Sequence, residues 1–157
     1  MAEIRLTKGR RALVDDCDFA LVDAYSWQAL KRTAKRYYAK AADRNGKSVL
    51  MHRLIVGAAR GQFVDHANGD GLDNRRANLR LCSNSQNQGN RRPQKRKRSS
   101  FNSKFKGVSK YPNLLNPWCA RLRGKWVGAF ATELEAARAY DAAALAVFGE
   151  FALLNNA

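Results

Sequence analysis

The chain has 157 residues, 45% of them hydrophobic, and a formal net charge of +16 at pH 7. That length allows one ordinary domain or two small ones, and so large a basic excess is typical of proteins that bind polyanions. The three cysteines lie far apart without a CxxC pair, which argues against a zinc knuckle and against a disulfide framework. No segment approaches the roughly 20 apolar residues of a membrane span, and the N-terminus lacks the apolar core of a signal peptide. We therefore expect an intracellular protein with no membrane partner.

The N-terminal region, residues 1–58, is predicted to be a small α+β structure. Asp18 has the position of a helix cap before an apolar run, and Asn45-Gly46 between two apolar runs predicts a tight hairpin with φ above zero at both residues. A turn or two of helix should end near Gly57. The predicted strands cover residues 12–14, 37–41 and 48–51, and the predicted helical turns cover residues 52–56.

The second region, residues 59–92, has the order strand, loop, strand, helix. Residues 63–66 lead into a loop rich in Asn, Gly and Asp, and residues 77–82 form the second predicted strand. Ser83 and Gln86 have the spacing of a capping box, so a helix should begin at Ser83 and carry Asn87 in its first turns.

A basic linker is predicted at residues 93–104, because no acidic residue occurs between Asn90 and Lys110 and like charges cannot form a core. A solvated tail or a localisation signal would have the same composition, but the position between two patterned regions favours a segment that follows DNA phosphates. The basic residues at and beside this linker are Arg91, Arg92, Lys95, Arg96, Lys97 and Arg98.

The C-terminal region, residues 105–157, alternates like three short strands and then changes to a helical period. Thr132 and Glu135 have capping-box spacing, and Gly149 is placed as the C-terminal stop of the helix. The predicted strands are residues 106–109, 118–123 and 125–130, and the predicted apolar helix face is Leu134, Ala137, Tyr140, Ala144 and Phe148.

The chemical centre of the sequence is the pair Asp65-His66, with Asn78 and Asn87 following. The spacing from His66 resembles a calcium loop, but the first ligand position is His and the twelfth is Ala77 rather than Glu, so that interpretation fails. Hydrolysis of a phosphodiester needs a base for water and a hard cation for the charge on phosphate. An unperturbed imidazole suits the base, and the oxygens of Asp65 and Asn87 suit Mg²⁺ or Mn²⁺, one ion per site.

These residues, with the stretches 51–55, 64–80 and 84–87, resemble the HNH endonuclease family, especially its phage-type homing and free-standing members. The resemblance implies a ββα-metal fold, with His66 as general base and Asp65 and Asn87 as metal ligands. It also implies that Asn78 hydrogen-bonds the loop backbone and so positions His66. His52 is interpreted as structural and is left outside the catalytic set.

Residues 104–157 are similar to the AP2 DNA-binding domain, on the evidence of the stretches 105–108, 118–123, 126–130 and 135–141 and of residues 153–155. That family lays a three-stranded sheet, backed by one helix, in the major groove. Ser109 and Tyr111 replace arginines of the plant members, so their base preference does not transfer. For Trp118 and Trp126, core packing is the alternative to DNA contact. By position the DNA-binding candidates are Lys106, Trp118, Arg121, Arg123, Lys125 and Trp126.

The fold class expected is therefore α+β, and the function expected is a divalent-metal DNA endonuclease targeted by the AP2-like region, with homing as one role. A non-catalytic DNA-binding regulator with a relic HNH fold is the alternative, and an RNA-binding basic protein is a weaker one, because no RRM or KH signature occurs. Double-stranded DNA is the expected partner, and the protein is expected to be cytoplasmic, DNA-associated and encoded by a phage or mobile element. The sequence leaves open a monomer or a homodimer, and nicking or double-strand cutting.

Overall fold

A computed structural model describes residues 1–33, 36–90 and 103–157. It is a mixed α+β structure of small sheets and short helices, divided into two compact units, Met1–Asn87 and Gln88–Ala157. The predicted boundaries at residues 58 and 92 stay predictions, and most of the predicted linker, with all of its named basic residues, lies outside the described residues. Within those three ranges, no helix is both long enough and apolar enough to cross a membrane.

The first unit contains seven strands and three short helices among its described residues. Its core is formed mainly by small and branched apolar side chains on the inner faces of these elements, together with Trp27 and Met51. The elements are β1 (Ala2–Arg5), β2 (Arg11–Val14), α1 (Phe19–Asp23), β3 (Gln28–Lys31), β4 (Tyr37–Ala42), β5 (Ser48–Leu50), α2 (Met51–Ile55), β6 (Phe63–His66), β7 (Leu79–Cys82) and α3 (Asn84–Gly89), the last ending just beyond the unit boundary.

All strand pairs of this unit are antiparallel, and they form three small sheets with the orders β1-β2, β3-β4-β5 and β6-β7. The β6 strand has the predicted bounds. The predicted strand 77–82 is shorter, because residues Arg76–Asn78 form a turn of 3-10 helix before β7 begins. The β1 and β3 strands were not predicted.

The β4–β5 hairpin has a different turn from the one predicted. Only Gly46 has a positive φ, at 76°, whereas Asn45 does not. The Asp43 carboxylate accepts hydrogen bonds from the backbone N–H of Asn45 at 2.9 Å and of Lys47 at 2.8 Å. These hydrogen bonds to the Asp43 side chain stabilise a loop wider than two residues, so the two-residue turn expected from Asn-Gly is not formed.

The predicted capping role of Asp18 is also wrong. Helix α1 does begin after Asp18, but the Asp18 side chain makes no capping hydrogen bond. Its buried carboxylate instead accepts two hydrogen bonds from the Arg76 guanidinium, at 2.7 and 2.8 Å. A bidentate ion pair to a distant arginine has replaced the local cap.

The second unit has a three-stranded antiparallel sheet, in the order β10-β9-β8, and one long helix. The helix packs on the sheet through Ala136, Ala137, Tyr140, Ala144 and Phe148, whereas the predicted core residue Leu134 is 43% exposed at the helix start. The elements are β8 (Val108–Lys110), β9 (Trp118–Leu122), β10 (Lys125–Phe130) and α4 (Glu133–Phe148).

Local signals place the ends of these elements. Thr132 and Glu135 form the expected reciprocal capping box, and Gly149 ends the helix with a φ of 55°. Arg123 and Gly124 both have positive φ, at 53° and 80°, and they join β9 to β10 in the two-residue turn geometry that had been expected at Asn45-Gly46.

Candidate nuclease site

The pair Asp65-His66 ends strand β6, and both side chains are buried, with 7% and 4% of their surfaces exposed. Strand β7 lies beside β6, with Asp65 opposite Arg80 and His66 opposite Leu79. A carboxylate and an imidazole are costly to bury unless they are paired or hydrogen-bonded, so their surroundings define what the pair can do.

Asn78 braces the loop that follows β6. Its side-chain amide donates to the carbonyl of Asp73 at 2.7 Å, and its side-chain oxygen accepts from the backbone N–H of Asn68 at 3.0 Å. Its backbone carbonyl accepts from the N–H of Ala67, the residue after His66, at 2.9 Å. One buried asparagine thus holds both ends of the loop.

Polar side chains turn the loop itself. The Asn68 and Asp70 side chains accept from backbone N–H groups two residues further on, at 2.8 and 3.0 Å. The buried Asp73 carboxylate pairs with the Arg75 guanidinium at 2.7 Å and accepts from the Asn68 amide at 2.9 Å. The hydrogen bonds and charge of Arg75 hold the pKa of Asp73 below its usual value. These are Asx turns closed by an ion pair, not a calcium loop.

The N-terminal hairpin anchors the same loop. The backbone N–H of Leu13 donates to Leu72 at 2.8 Å, and that of Asn74 donates back to the Leu13 carbonyl at 2.8 Å. The Asp15 carboxylate accepts from the backbone N–H of Arg76 at 2.8 Å, next to the Arg76–Asp18 ion pair. The loop is therefore tied to β2 and to the segment after it.

His66 is held as a neutral imidazole. Burial lowers the pKa of His66, although the hydrogen bond with Asn74 and the nearby acidic groups act in the opposite direction. Its Nε2 lies 3.4 Å from the Asn74 side-chain oxygen. The unperturbed pKa assumed from the sequence is thus wrong, but the correction keeps the ring deprotonated over a wider pH range, which suits a base.

Two further rings surround His66. The ring centroid of His52 is 5.0 Å from that of His66, in an edge-to-face arrangement, and the Tyr38 centroid is 5.7 Å from His66 and 5.5 Å from His52. The side chain of His52 is 93% buried, and its Nδ1 has no hydrogen-bond partner among the described residues. Burial, with the charges of His66 and Arg53, lowers the pKa of His52 to about 3.

The sequence does not predict this ring cluster. His52 is expected from the sequence to be structural, and its distance along the chain from Asp65 carries no information on contact. Tyr38 gave no signal, because its approach depends on how β4 packs against helix α2.

Asp65 forms an ion pair with Arg80, Oδ2 to Nη2 at 2.5 Å, across the β6–β7 ladder. The Cys82 thiol interacts with Asp65, with Arg80 and with the backbone of Asn87. Burial raises the pKa of the Cys82 thiol and the Asp65 carboxylate raises it further, whereas the Arg80 charge and a hydrogen bond with the Asn87 backbone lower it. Helix α3 begins with the predicted Ser83–Gln86 capping box, and the Asn87 backbone near its start hydrogen-bonds the Cys82 thiol.

Whether a divalent ion fits this site is judged from the donor atoms that the residues offer. The described residues contain no group of three or more His, Cys, Asp or Glu side chains arranged for a metal. The Asp65 carboxylate and the Asn87 amide oxygen are hard donors of the kind that Mg²⁺ and Mn²⁺ accept. A cation bound by Asp65 would either share the carboxylate with the Arg80 guanidinium or displace that guanidinium.

In the second unit, the predicted DNA-binding side chains take different positions. Lys106 is half-buried, donates from Nζ to the Gly89 carbonyl at 2.6 Å, and has its pKa lowered by burial. Trp118 is also partly buried, with the Lys110 ammonium 5.4 Å from its ring. Arg123 and Lys125 are exposed at the tight turn.

Arg121 and Trp126 are brought together on the exposed side of the sheet. The Arg121 guanidinium lies 5.6 Å from the ring of Trp126 and 5.6 Å from that of Tyr111. Trp126 is 54% exposed, so core packing is not its role. Arg91, Arg92, Lys95, Arg96, Lys97 and Arg98 lie outside the described residues.

A family model described as HNH endonuclease matches residues 49–89. The matched stretch begins at β5 and contains the ring cluster residue His52, the Asp65-His66 pair, Asn78 and Asn87. No curated protein and no solved structure matched the chain. The similarity of residues 104–157 to the AP2 domain stays a prediction.

Proposed function

We propose that the protein is a DNA endonuclease that hydrolyses phosphodiester bonds with a divalent ion, Mg²⁺ or Mn²⁺, at the site around Asp65 and His66. The observation that carries the proposal is the HNH endonuclease match at residues 49–89, which includes the buried Asp65-His66 pair and its bracing residue Asn78.

His66 is assigned the role of general base. A base must be unprotonated at the working pH, and a pKa lowered by burial leaves the His66 imidazole neutral near pH 7. The hydrogen bonds of Asn78 fix the backbone directly after His66, so Asn78 holds the base in place. The Asn74 oxygen near Nε2 would favour a proton on that nitrogen, or bind the imidazolium formed after proton abstraction.

Asp65 and Asn87 are assigned to the cation, which would supply charge stabilisation on the phosphate and the leaving oxygen. The ion pair with Arg80 holds the Asp65 carboxylate in place. The same guanidinium offers donors for phosphate oxygens once a cation shares the carboxylate.

DNA is the substrate we propose, and the C-terminal unit is proposed to target it as an AP2-like module. Between Ser103 and Thr132 the sequence has six Lys or Arg and no acidic residue. The exposed Arg121–Trp126 pair lies on a sheet of this basic segment, and a narrow sheet fits the major groove of B-DNA, about 12 Å wide. The linker residues would add phosphate contacts. Homing is one role open to such an enzyme.

A second candidate is a DNA-binding regulator in which the nuclease fold is a relic. The Asp65–Arg80 ion pair favours it, because the carboxylate that would bind the cation already has a cationic partner.

Nicking of supercoiled plasmid, followed with Mg²⁺, with Mn²⁺ and with EDTA, separates the two candidates. We expect cleavage only with the divalent ion. His66→Ala should lower the rate roughly 10²–10⁴-fold, with duplex affinity nearly unchanged. Asp65→Asn should also abolish cleavage, while the same change at the exposed Asp23 of helix α1 serves as the matched control. A wild-type protein that binds but never cuts, or a His66→Ala variant at full rate, would contradict the assignment.

A further inference from the structure

The loop between β8 and β9, residues 111–117, presents apolar side chains to solvent. Leu115 is 99% exposed and its neighbour Leu114 is 46% exposed. We call these two residues the leucine tip. Scattered exposed leucines are ordinary on protein surfaces, but a leucine that makes almost no contact, next to a second exposed leucine, leaves a continuous apolar tip in water.

The leucine tip is carried on a closed loop. The backbone N–H of Tyr111 donates to the Pro117 carbonyl at 2.7 Å, and the N–H of Leu114 donates to the Tyr111 carbonyl at 3.1 Å. Pro112 and Pro117 restrict the backbone at both sides of the tip. The loop therefore holds its leucines outward before any partner binds, which reduces the entropy cost of binding.

The base of this loop joins the exposed aromatic and basic side of the sheet. Tyr111 shares the Arg121 guanidinium with Trp126, and Lys110 lies over Trp118 where the two strands meet the loop. The loop that carries the apolar tip therefore begins and ends beside cationic side chains, in a segment that has no acidic residue.

This combination indicates the class of partner. A cationic surface attracts a polyanion such as duplex DNA, and the apolar faces of its bases become accessible where a base step is partly unstacked. Architectural proteins that bind the minor groove insert leucine and similar apolar wedges between base pairs, which partly unstacks and kinks the duplex.

We propose that the leucine tip, Leu114 with Leu115, inserts between base pairs of duplex DNA held by the basic side of the sheet, and so untwists and bends the DNA. The proposal rests on the proposed function, because it needs the C-terminal unit to bind DNA. It adds a distortion step that selects flexible base steps.

The first test measures affinity for a duplex by fluorescence anisotropy in EDTA, with the full chain carrying His66→Ala. The double variant Leu114→Ser with Leu115→Ser should bind roughly tenfold more weakly, because a buried leucine contributes about that factor or more. The dependence of affinity on salt should stay the same, since no charge is removed. Leu145→Ser, at a leucine 54% exposed on helix α4, is the matched control and should bind like the parent.

The second test measures untwisting without knowledge of the target site. A closed circular plasmid is relaxed by a metal-independent topoisomerase with the protein bound in EDTA, and the change in linking number is read after the protein is removed. The parent and Leu145→Ser should lower the linking number, and the double leucine variant should not.

The outcomes separate the two proposals. Binding without a change in linking number, or an equal change with the double variant, would overturn wedge insertion and leave the nuclease proposal standing. No binding to duplex DNA, or nicking of the plasmid in EDTA, would count against the proposed function itself. Leucine-dependent binding to phosphatidylcholine vesicles, with duplex affinity equal in parent and variant, would assign the tip to a lipid surface and overturn the proposal.

Discussion

Acidification should destabilise the first unit through His52. The pKa of His52 is lowered to about 3 in the fold, whereas an unfolded histidine titrates near 6.5. The unfolded chain therefore binds the proton first as the pH falls below about 6.5, and folding stability falls with it. The structural reason is plain: protonation would place a charge, and a second N–H donor, in a ring cluster where Nδ1 has no partner among the described residues.

The magnitude follows from the two pKa values. Between pH 7.5 and pH 4.5 the proton-linked loss from this one group is about 3 kcal/mol. Carboxylates with ordinary or lowered pKa values contribute little above pH 4.5, so this interval isolates histidine. His66 acts in the same direction, because its pKa is lowered too.

Urea unfolding at the two pH values measures the effect. Trp118→Phe and Trp126→Phe leave Trp27, buried in the first unit, as the sole tryptophan and reporter. His52→Phe keeps a ring against Tyr38 and His66 but removes the titration. We expect the parent to lose about 3 kcal/mol more than His52→Phe between pH 7.5 and pH 4.5. Equal losses would refute the buried environment assigned to the His52 ring.

Three further predictions concern other parts of the chain. Asn78→Ala should lower cleavage roughly tenfold or more, because freeing the loop after His66 misplaces the base, and should leave duplex affinity unchanged in anisotropy measurements; undiminished cleavage would contradict its bracing role. Gly107→Ala should destabilise the second unit by roughly 2 kcal/mol or more, because a Cβ at Gly107, where φ is 75°, would lie 2.2 Å from the Tyr140 ring. Thermal unfolding of the full chain measures this loss against Gly124→Ala, where φ is also positive but a Cβ would meet nothing within 4 Å. An equal loss at both positions would show that the positive φ alone, and not the contact with Tyr140, sets the cost. Replacing Arg96, Lys97 and Arg98 by Gln should make the log–log salt dependence of duplex binding shallower by up to about three units, and an unchanged slope would show that these residues do not contact phosphate.

Elements with local signals were predictable from the sequence. Strand β6 and the capped starts of α3 and α4 agree with expectation, because caps and short apolar runs act within a few residues. Turn type was less predictable. Hydrogen bonds to the Asp43 carboxylate give the loop at Asn45-Gly46 a different geometry from the expected two-residue turn. Arg123-Gly124 adopts the two-residue turn without an Asn or Asp.

The sequence also predicts that Asp65, His66 and Asn78 belong to one strand–loop–strand unit, and the structure agrees, whereas their chemical roles stay predictions. Their environment was not predictable. The ion pair of Arg80 with Asp65 depends on the register of β6 with β7, and the ring of His52 reaches His66 only through the packing of separate elements. Spacing along the chain carries no record of such contacts.

The ties between the N-terminal hairpin and the loop after β6 have a consequence for how such a site can be inherited. The family match spans residues 49–89, yet the loop behind His66 is held by the backbone of Leu13 and the carboxylates of Asp15 and Asp18. A recombination event that moved only the matched stretch would transfer Asp65 and His66 without the N-terminal residues whose hydrogen bonds and ion pair hold the loop in place. A piece that keeps this geometry when it is exchanged between proteins therefore includes Leu13, Asp15 and Asp18 as well as the matched stretch.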